Sequence, residues 1–77
     1  MNECLRLLGG KFEICEGDIV EVVSGKRSIL GKVKAVDNVM RAVVVSNDGH
    51  DHLIFINKNI TLKVLERAKN EPSPNKD

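Results

Sequence analysis

Apolar and polar residues alternate along most of this chain, with the two-residue period of β-strands. The clearest stretch is residues 31–45, G-K-V-K-A-V-D-N-V-M-R-A-V-V-V. Its alternation stops at Asp37-Asn38, and a second apolar run follows almost at once, which predicts two strands folded back on each other. Gly31 lies inside the first of these strands and predicts a bend or bulge there, because glycine weakens a straight strand.

The same pattern predicts five short strands connected by polar turns. They are Ile19–Val23, Ser28–Val36, Val39–Ser46, His52–Ile56 and Ile60–Glu66. In the second strand, the period places Ile29, Gly31, Val33 and Ala35 on one face and Leu30, Lys32, Lys34 and Val36 on the other. Short strands, a bent second strand and tight connections predict an all-β fold, a small and strongly bent five-stranded barrel of the Sm-like or SH3-like kind.

The two ends of the chain have other patterns. In residues 2–8, Cys4, Leu5 and Leu8 share one side at helical spacing, Asn2 suits an N-cap, and Gly9-Gly10 is a stop signal. This predicts a short N-terminal helix at about residues 2–8. Residues 67–77 have no periodicity and contain both prolines, so we expect a disordered C-terminal tail after a single domain at 1–66.

Composition and charge refine this interpretation. Aromatic residues make up 3% of the 77-residue chain and comprise only Phe12 and Phe55, so Val, Ile and Leu must build the core. The net charge is +1, but residues 12–25 carry −4 and residues 26–46 carry +4. The basic segment predicts a basic face that could contact phosphate, although an ordinary solvated strand face accounts for it equally well. Its members are Lys26, Arg27, Lys32 and Lys34.

Cys4 and Cys15 are the only cysteines, and neither belongs to a C-x-x-C pair. No signal peptide is apparent, so the sequence predicts two small, mostly buried free thiols in a reducing cytoplasm. The longest apolar run, Ala42–Val45, is far too short to span a bilayer. We therefore expect a cytoplasmic protein that does not engage membranes.

Candidate chemistry is sparse. His50 and His52 flank Asp51, and on a strand both imidazoles could reach one ion, but no third ligand is evident. A polar hairpin turn is favoured over a metal site here. No Ser/His/Asp or Cys/His arrangement can be argued, so we expect no enzymatic activity, no metal and no cofactor.

The motif Gly31 to Met40 resembles the Sm superfamily, which includes the Sm and LSm proteins and bacterial Hfq. Its strand-two glycine, the aspartate six positions later and the apolar third strand match that family's first motif, and Leu53–Ile60 resembles its second. The resemblance implies a homo-oligomeric ring of six or seven subunits, closed by pairing of strands four and five. It also implies RNA binding through the loops after strands two and four, at Asp37, Asn38, Val39, Arg41, Asn57, Lys58 and Asn59.

The sequence departs from the family pattern at the positions that contact bases. Val39 stands where the family has an aromatic residue or histidine, Arg41 stands in place of asparagine, and no Arg-Gly pair follows Ile56. Arg41 could still supply a guanidinium plane or a phosphate contact. Asn57 or Asn59 could supply an amide hydrogen bond.

A second resemblance stays open. Residues 17–26, G-D-I-V-E-V-V-S-G-K, followed by Gly31-Lys32-Val33, are similar to the opening of a KOW motif. This resemblance implies an SH3-like module that binds RNA or a protein partner as a monomer or small oligomer, without enzymatic activity.

Overall fold

The computed structural model describes residues 3–68, which form two antiparallel β-sheets. The strands are β1 (Cys4–Leu7), β2 (Phe12–Cys15), β3 (Ile19–Ser24), β4 (Arg27–Asp37), β5 (Ala42–Asn47), β6 (His50–Phe55) and β7 (Ile60–Glu66). β1 and β2 form a hairpin, and the other strands form one sheet in the order β6-β5-β4-β3-β7. The all-β prediction is confirmed, and the five predicted strands correspond to β3–β7.

The five-stranded sheet is open, which corrects the predicted closed barrel. Its outer strands, β6 and β7, are not hydrogen-bonded to each other within the described residues. The short connection at residues 56–59 carries the chain from β6 to the opposite edge, where β7 pairs with β3. β4 pairs with β3 through residues 27–32 and with β5 through residues 32–37, so one long strand serves both halves of the sheet.

The predicted N-terminal helix is wrong, because residues 4–7 form strand β1 and the described residues contain no α-helix. Gly9 and Gly10 have φ of 66° and 91° and belong to the hairpin turn rather than to a helix C-cap. A helix of this length is marginal by itself, whereas the strand gains four cross-strand pairs with β2. The proposed N-cap, Asn2, lies outside the described residues.

The prediction of two free thiols is also wrong. Cys4 and Cys15 stand directly opposite each other in the hairpin and form a disulfide. The two cysteines are 11 positions apart and form no short cysteine motif, so only the register of the hairpin reveals that they form a disulfide.

The core is aliphatic, as the composition predicts. Its buried residues are Leu5, Ile14, Val20, Val22, Val33, Val43, Val45 and Ile54. Leu5 and Ile14 come from the hairpin, which therefore covers one side of the large sheet. The hairpin is also joined to β4 through its backbone, since the Gly17 N–H donates to the Val33 carbonyl at 2.8 Å.

Asp18 is a buried carboxylate that links the hairpin to the end of β7. Its side chain is 1% exposed and accepts hydrogen bonds from the Cys15 N–H at 2.9 Å, the Arg67 Nη1 at 3.1 Å and the Ala68 N–H at 2.8 Å. Arg67 and Ala68 are the first two residues of the predicted tail. The rest of that tail lies outside the described residues.

Gly31 lies where strands β4 and β5 approach most closely. A Cβ at this position would collide with the Ser46 carbonyl oxygen and lie 2.8 Å from Val45 Cγ1. Three residues further along, the β4–β5 register shifts between Val33 and Ala35. This bulge reverses the alternation, so Val36 packs against the core while Ala35 pairs with Val44 on the other face, opposite to the prediction.

Candidate nucleic-acid interface

Two loops that the sequence assigns to RNA binding meet in space. The first follows β4 at residues 38–41, and the second follows β6 at residues 56–59. The Ile56 N–H donates to the Arg41 carbonyl at 2.9 Å, which joins the loops directly. Arg41, Asn57 and Lys58 therefore line one cavity although up to 17 positions separate them in sequence.

The first loop is shaped by Asp37 and Asn38. The Asp37 Oδ1 accepts hydrogen bonds from the backbone N–H groups of Val39 and Met40, at 2.9 and 3.0 Å. The Asn38 Nδ2 donates to the Cys4 carbonyl at 3.0 Å, which attaches the loop to the hairpin. These two side chains hold the backbone, as aspartate and asparagine commonly do in turns, and Val39 is left 91% exposed.

The second loop is an Asx-type turn centred on Asn57. Its Oδ1 accepts from the Asn59 N–H at 2.8 Å, and its Nδ2 donates to the Phe55 carbonyl at 3.3 Å. Lys58 is exposed at the tip of the turn, and Asn59 is exposed beside it. The turn therefore presents an ammonium group while asparagine fixes its shape.

The cavity between these loops and the hairpin has a volume of about 560 Å³. Its lining residues are Leu7, Leu8, Phe12, Arg41, Ile56, Asn57, Lys58, Ile60, Thr61 and Leu62. The walls are mostly apolar, the two charged members are both cations, and no carboxylate lines it. Among residues 3–68, neither Arg41 nor Lys58 takes part in an ion pair. Such a site can hold a ring or chain of apolar atoms with an attached anion.

Phe12 is the lining residue that sequence reasoning missed. The sequence pattern predicts a helix at about residues 2–8 and its first strand only at Ile19, so Phe12 is not among the predicted site residues. The available signal was the alternation F-E-I-C at residues 12–15, which indicates a strand with Phe12 and Ile14 on one face.

The four residues of the predicted basic face are not gathered into one site. Arg27 lines a second cavity of about 510 Å³, which shares Asn57 and Ile60 with the first. Lys26, Lys32 and Lys34 line neither cavity. The Lys34 Nζ instead lies 2.9 Å from the Asp51 Oδ2, and this hydrogen bond lowers the pKa of the Asp51 carboxyl.

The histidines lie on β6 rather than in a turn. His50 and His52 share one face of the strand, and Asp51 faces the other way toward Lys34. Within residues 3–68, the one group of three potential metal ligands is Cys4, Glu13 and Cys15, whose sulfur atoms form the disulfide.

Comparison of the chain with protein-family models, with curated proteins and with solved structures finds no match. In the part of the chain that the structure describes, no helix is long and apolar enough to cross a bilayer.

Proposed function

We propose that this protein binds single-stranded RNA as an Sm-like subunit of a homo-oligomeric ring. The observation that carries the proposal is the junction of the two loops through the Ile56–Arg41 hydrogen bond. It brings Arg41 and Lys58 to a cavity that no carboxylate lines. No catalytic step is part of this function, and no cofactor is required.

The charges of the site favour contact with the RNA backbone. A guanidinium can form two hydrogen bonds to one phosphate, and a lysine ammonium adds a compact positive charge. Each phosphate that they neutralise releases counterions, so affinity should fall as salt rises. The exposed Asn59 side chain is free to contact a sugar or a base edge.

Ring formation is supported by the two open edges of the large sheet. β6 and β7 each lack a partner on one side within the described residues, and exposed edges favour pairing with another chain. Pairing β6 of one subunit with β7 of the next is a head-to-tail contact, which closes into a ring when the rotation permits. Exposed apolar side chains flank both edges, with Leu53 60%, Phe55 47% and Leu65 51% exposed.

Fluorescence anisotropy with short labelled oligouridylate and oligoadenylate at low salt tests the RNA-binding proposal. The Arg41→Ala, Lys58→Ala double variant should bind at least about tenfold more weakly, because it loses two phosphate contacts. The matched control is Lys32→Ala, Lys63→Ala, which removes the same charge from exposed positions outside the cavity. Equal losses in the two double variants, or no binding by the unmodified protein, would contradict the proposal.

One observation favours a second candidate, an SH3-like or KOW-like module that binds a protein partner as a monomer or small oligomer. Met40 and Leu53 are 56% and 60% exposed beside a shallow cavity of about 220 Å³, on the face that carries Ala35 and Val44. Exposed apolar surface of this kind is typical of protein contacts. Native mass spectrometry separates the candidates, since a particle of six or seven subunits supports the ring and a monomer supports the module.

A further inference from the structure

We infer that Phe12 is the stacking wall of a nucleobase pocket formed between the β1–β2 hairpin and the loop pair described above. This inference rests on the proposed RNA binding and names the group that would hold a base. The ligand is an unpaired nucleotide of single-stranded RNA, with its base against Phe12 and its phosphate near Arg41 and Lys58.

The position of Phe12 follows from the hairpin register. Leu5 pairs with Ile14, and both are fully buried in the core. The next pair on the same face, Leu7 and Phe12, is only half-buried and lines the cavity. Phe12 therefore packs against the core on one side and lines the cavity on the other.

The groups around Phe12 match the parts of a nucleotide. Arg41 and Lys58 line the same cavity and can pair with a phosphate. Asn57 also lines it and retains one amide N–H besides the one bonded to the Phe55 carbonyl. The volume of about 560 Å³ lies within the range of small-molecule sites.

The acidic residue next to Phe12 in the sequence does not line the cavity. Glu13 follows Phe12 but points to the other face of the hairpin, where its Oε2 lies 3.1 Å from the Arg6 Nε. The cavity thus combines a ring face, two cations and no carboxylate. An aliphatic chain with an anionic end would use the walls and the cations but not the face of the Phe12 ring, whereas a nucleotide uses all three.

This arrangement also supplies what the loop after β4 lacks. Val39 has no ring on which a base could stack, whereas Phe12 lines the same cavity as Arg41 of that loop. Stacking on an aromatic side chain tolerates any base, because every base has a π-face. We therefore expect affinity for single strands with little sequence preference at this position.

Substitution of each phenylalanine by leucine tests the inference, because the chain has only two. Phe12→Leu preserves apolar packing and removes the ring, and it should weaken oligonucleotide binding by about tenfold. Phe12→Tyr should bind like the unmodified protein. Phe55→Leu is the matched control, since Phe55 lines the other cavity and leucine keeps an apolar side chain at the β6 edge, so it should leave both the oligomeric state and the affinity unchanged. Thermal unfolding of each variant confirms that it is folded.

A second measurement avoids substitution at Phe12. Ultraviolet crosslinking of the unmodified protein to oligouridylate, followed by peptide mass spectrometry, should locate the adduct at or beside Phe12. If Phe55→Leu weakens binding and Phe12→Leu does not, or if the adduct lies elsewhere, the inference is wrong while the RNA-binding proposal stands. If the unmodified protein binds neither oligonucleotide, both are wrong.

Discussion

Gly31 shows how one residue controls the approach of two strands. A side chain there would meet the Ser46 carbonyl oxygen and Val45 Cγ1, which belong to the backbone and core of β5. These atoms of β5 can move away only if the packed strands β4 and β5 separate, which would disturb the sheet. The absence of a side chain at Gly31 is thus a packing requirement.

We predict that Gly31→Ala destabilises the fold by about 1–3 kcal/mol, the usual cost of an overpacked core. Urea unfolding followed by circular dichroism measures it. Lys32→Ala is the matched control, since Lys32 is the next residue and is exposed, and it should change the free energy of unfolding by less than about 0.5 kcal/mol. An unchanged midpoint in Gly31→Ala would show that β5 can move away.

Asp18 joins the segment before β3 to the residues that follow β7. Its carboxylate is 1% exposed and accepts three hydrogen bonds, from Cys15, Arg67 and Ala68. We predict that Asp18→Ala destabilises the protein by about 3 kcal/mol, because buried donors lose their acceptor. Arg67→Ala should cost less than Asp18→Ala, since the Arg67 side chain is 54% exposed and Asp18 keeps the Cys15 and Ala68 N–H donors. Parallel urea unfolding curves measure both, and equal costs would contradict the assignment.

At the scale of elements, the β1–β2 hairpin is the part of the molecule that most differs from a plain five-stranded sheet. It covers the core with Leu5 and Ile14, and Asn38 attaches the loop after β4 to its Cys4 carbonyl. The hairpin also supplies Phe12 to the cavity. If the hairpin opened, the protein would therefore lose part of its core and one wall of the candidate site.

We predict that reduction of the Cys4–Cys15 disulfide lowers the free energy of unfolding by about 3 kcal/mol, as the loop-closure account gives for a short loop. The disulfide joins only the two strands of the β1–β2 hairpin. After reduction, the amide protons of this hairpin should therefore lose protection against exchange before those of β3 and β4. Hydrogen exchange with and without excess dithiol measures this. The Cys4→Ser, Cys15→Ser variant should resemble the reduced protein and not respond to dithiol. Uniform loss of protection across both sheets would contradict local release.

At the scale of the whole molecule, the β6 and β7 edges, which are unpaired within the described residues, are where we expect this chain to meet other copies of itself. An aliphatic core of this size is modest, and a lone domain of this length buries only about 60% of the surface its unfolded chain exposes. Pairing of β6 with a neighbour's β7 would bury more apolar surface and remove both edges. Association would then stabilise each subunit as well as build the proposed ring.

We predict that Leu53→Lys, in the middle of β6, shifts the protein toward monomer, because charged side chains on an edge oppose strand pairing. Leu30→Lys is the matched control, since Leu30 is similarly exposed at 54% but lies on the inner strand β4. Light scattering of both variants at equal concentration measures the effect. A monomeric unmodified protein, or equal dissociation by both variants, would overturn the edge-pairing proposal.

The five strands from Ile19 to Glu66 could be predicted because their alternation is local and continuous. The hairpin could not, since residues 2–8 satisfy a helical spacing as well as a two-residue one. Only pairing with Phe12–Cys15 decides between them, and pairing is not local information. The face on which Val36 lies could not be predicted for a related reason. A bulge at Lys34 reverses the alternation of faces along β4, and no residue type in the sequence signals this bulge.

For the candidate site, the sequence by itself determined which loops carry Arg41, Asn57 and Lys58, because turn residues and motif spacing are properties of adjacent positions. The tertiary structure alone decided that these loops touch, that Cys4 and Cys15 are joined, and that Phe12 lines the same cavity as Arg41. It also decided that the sheet stays open, with its β6 and β7 edges unpaired within the described residues. Each of these outcomes depends on contacts between residues far apart in the chain, which packing and strand register select and a local pattern does not encode.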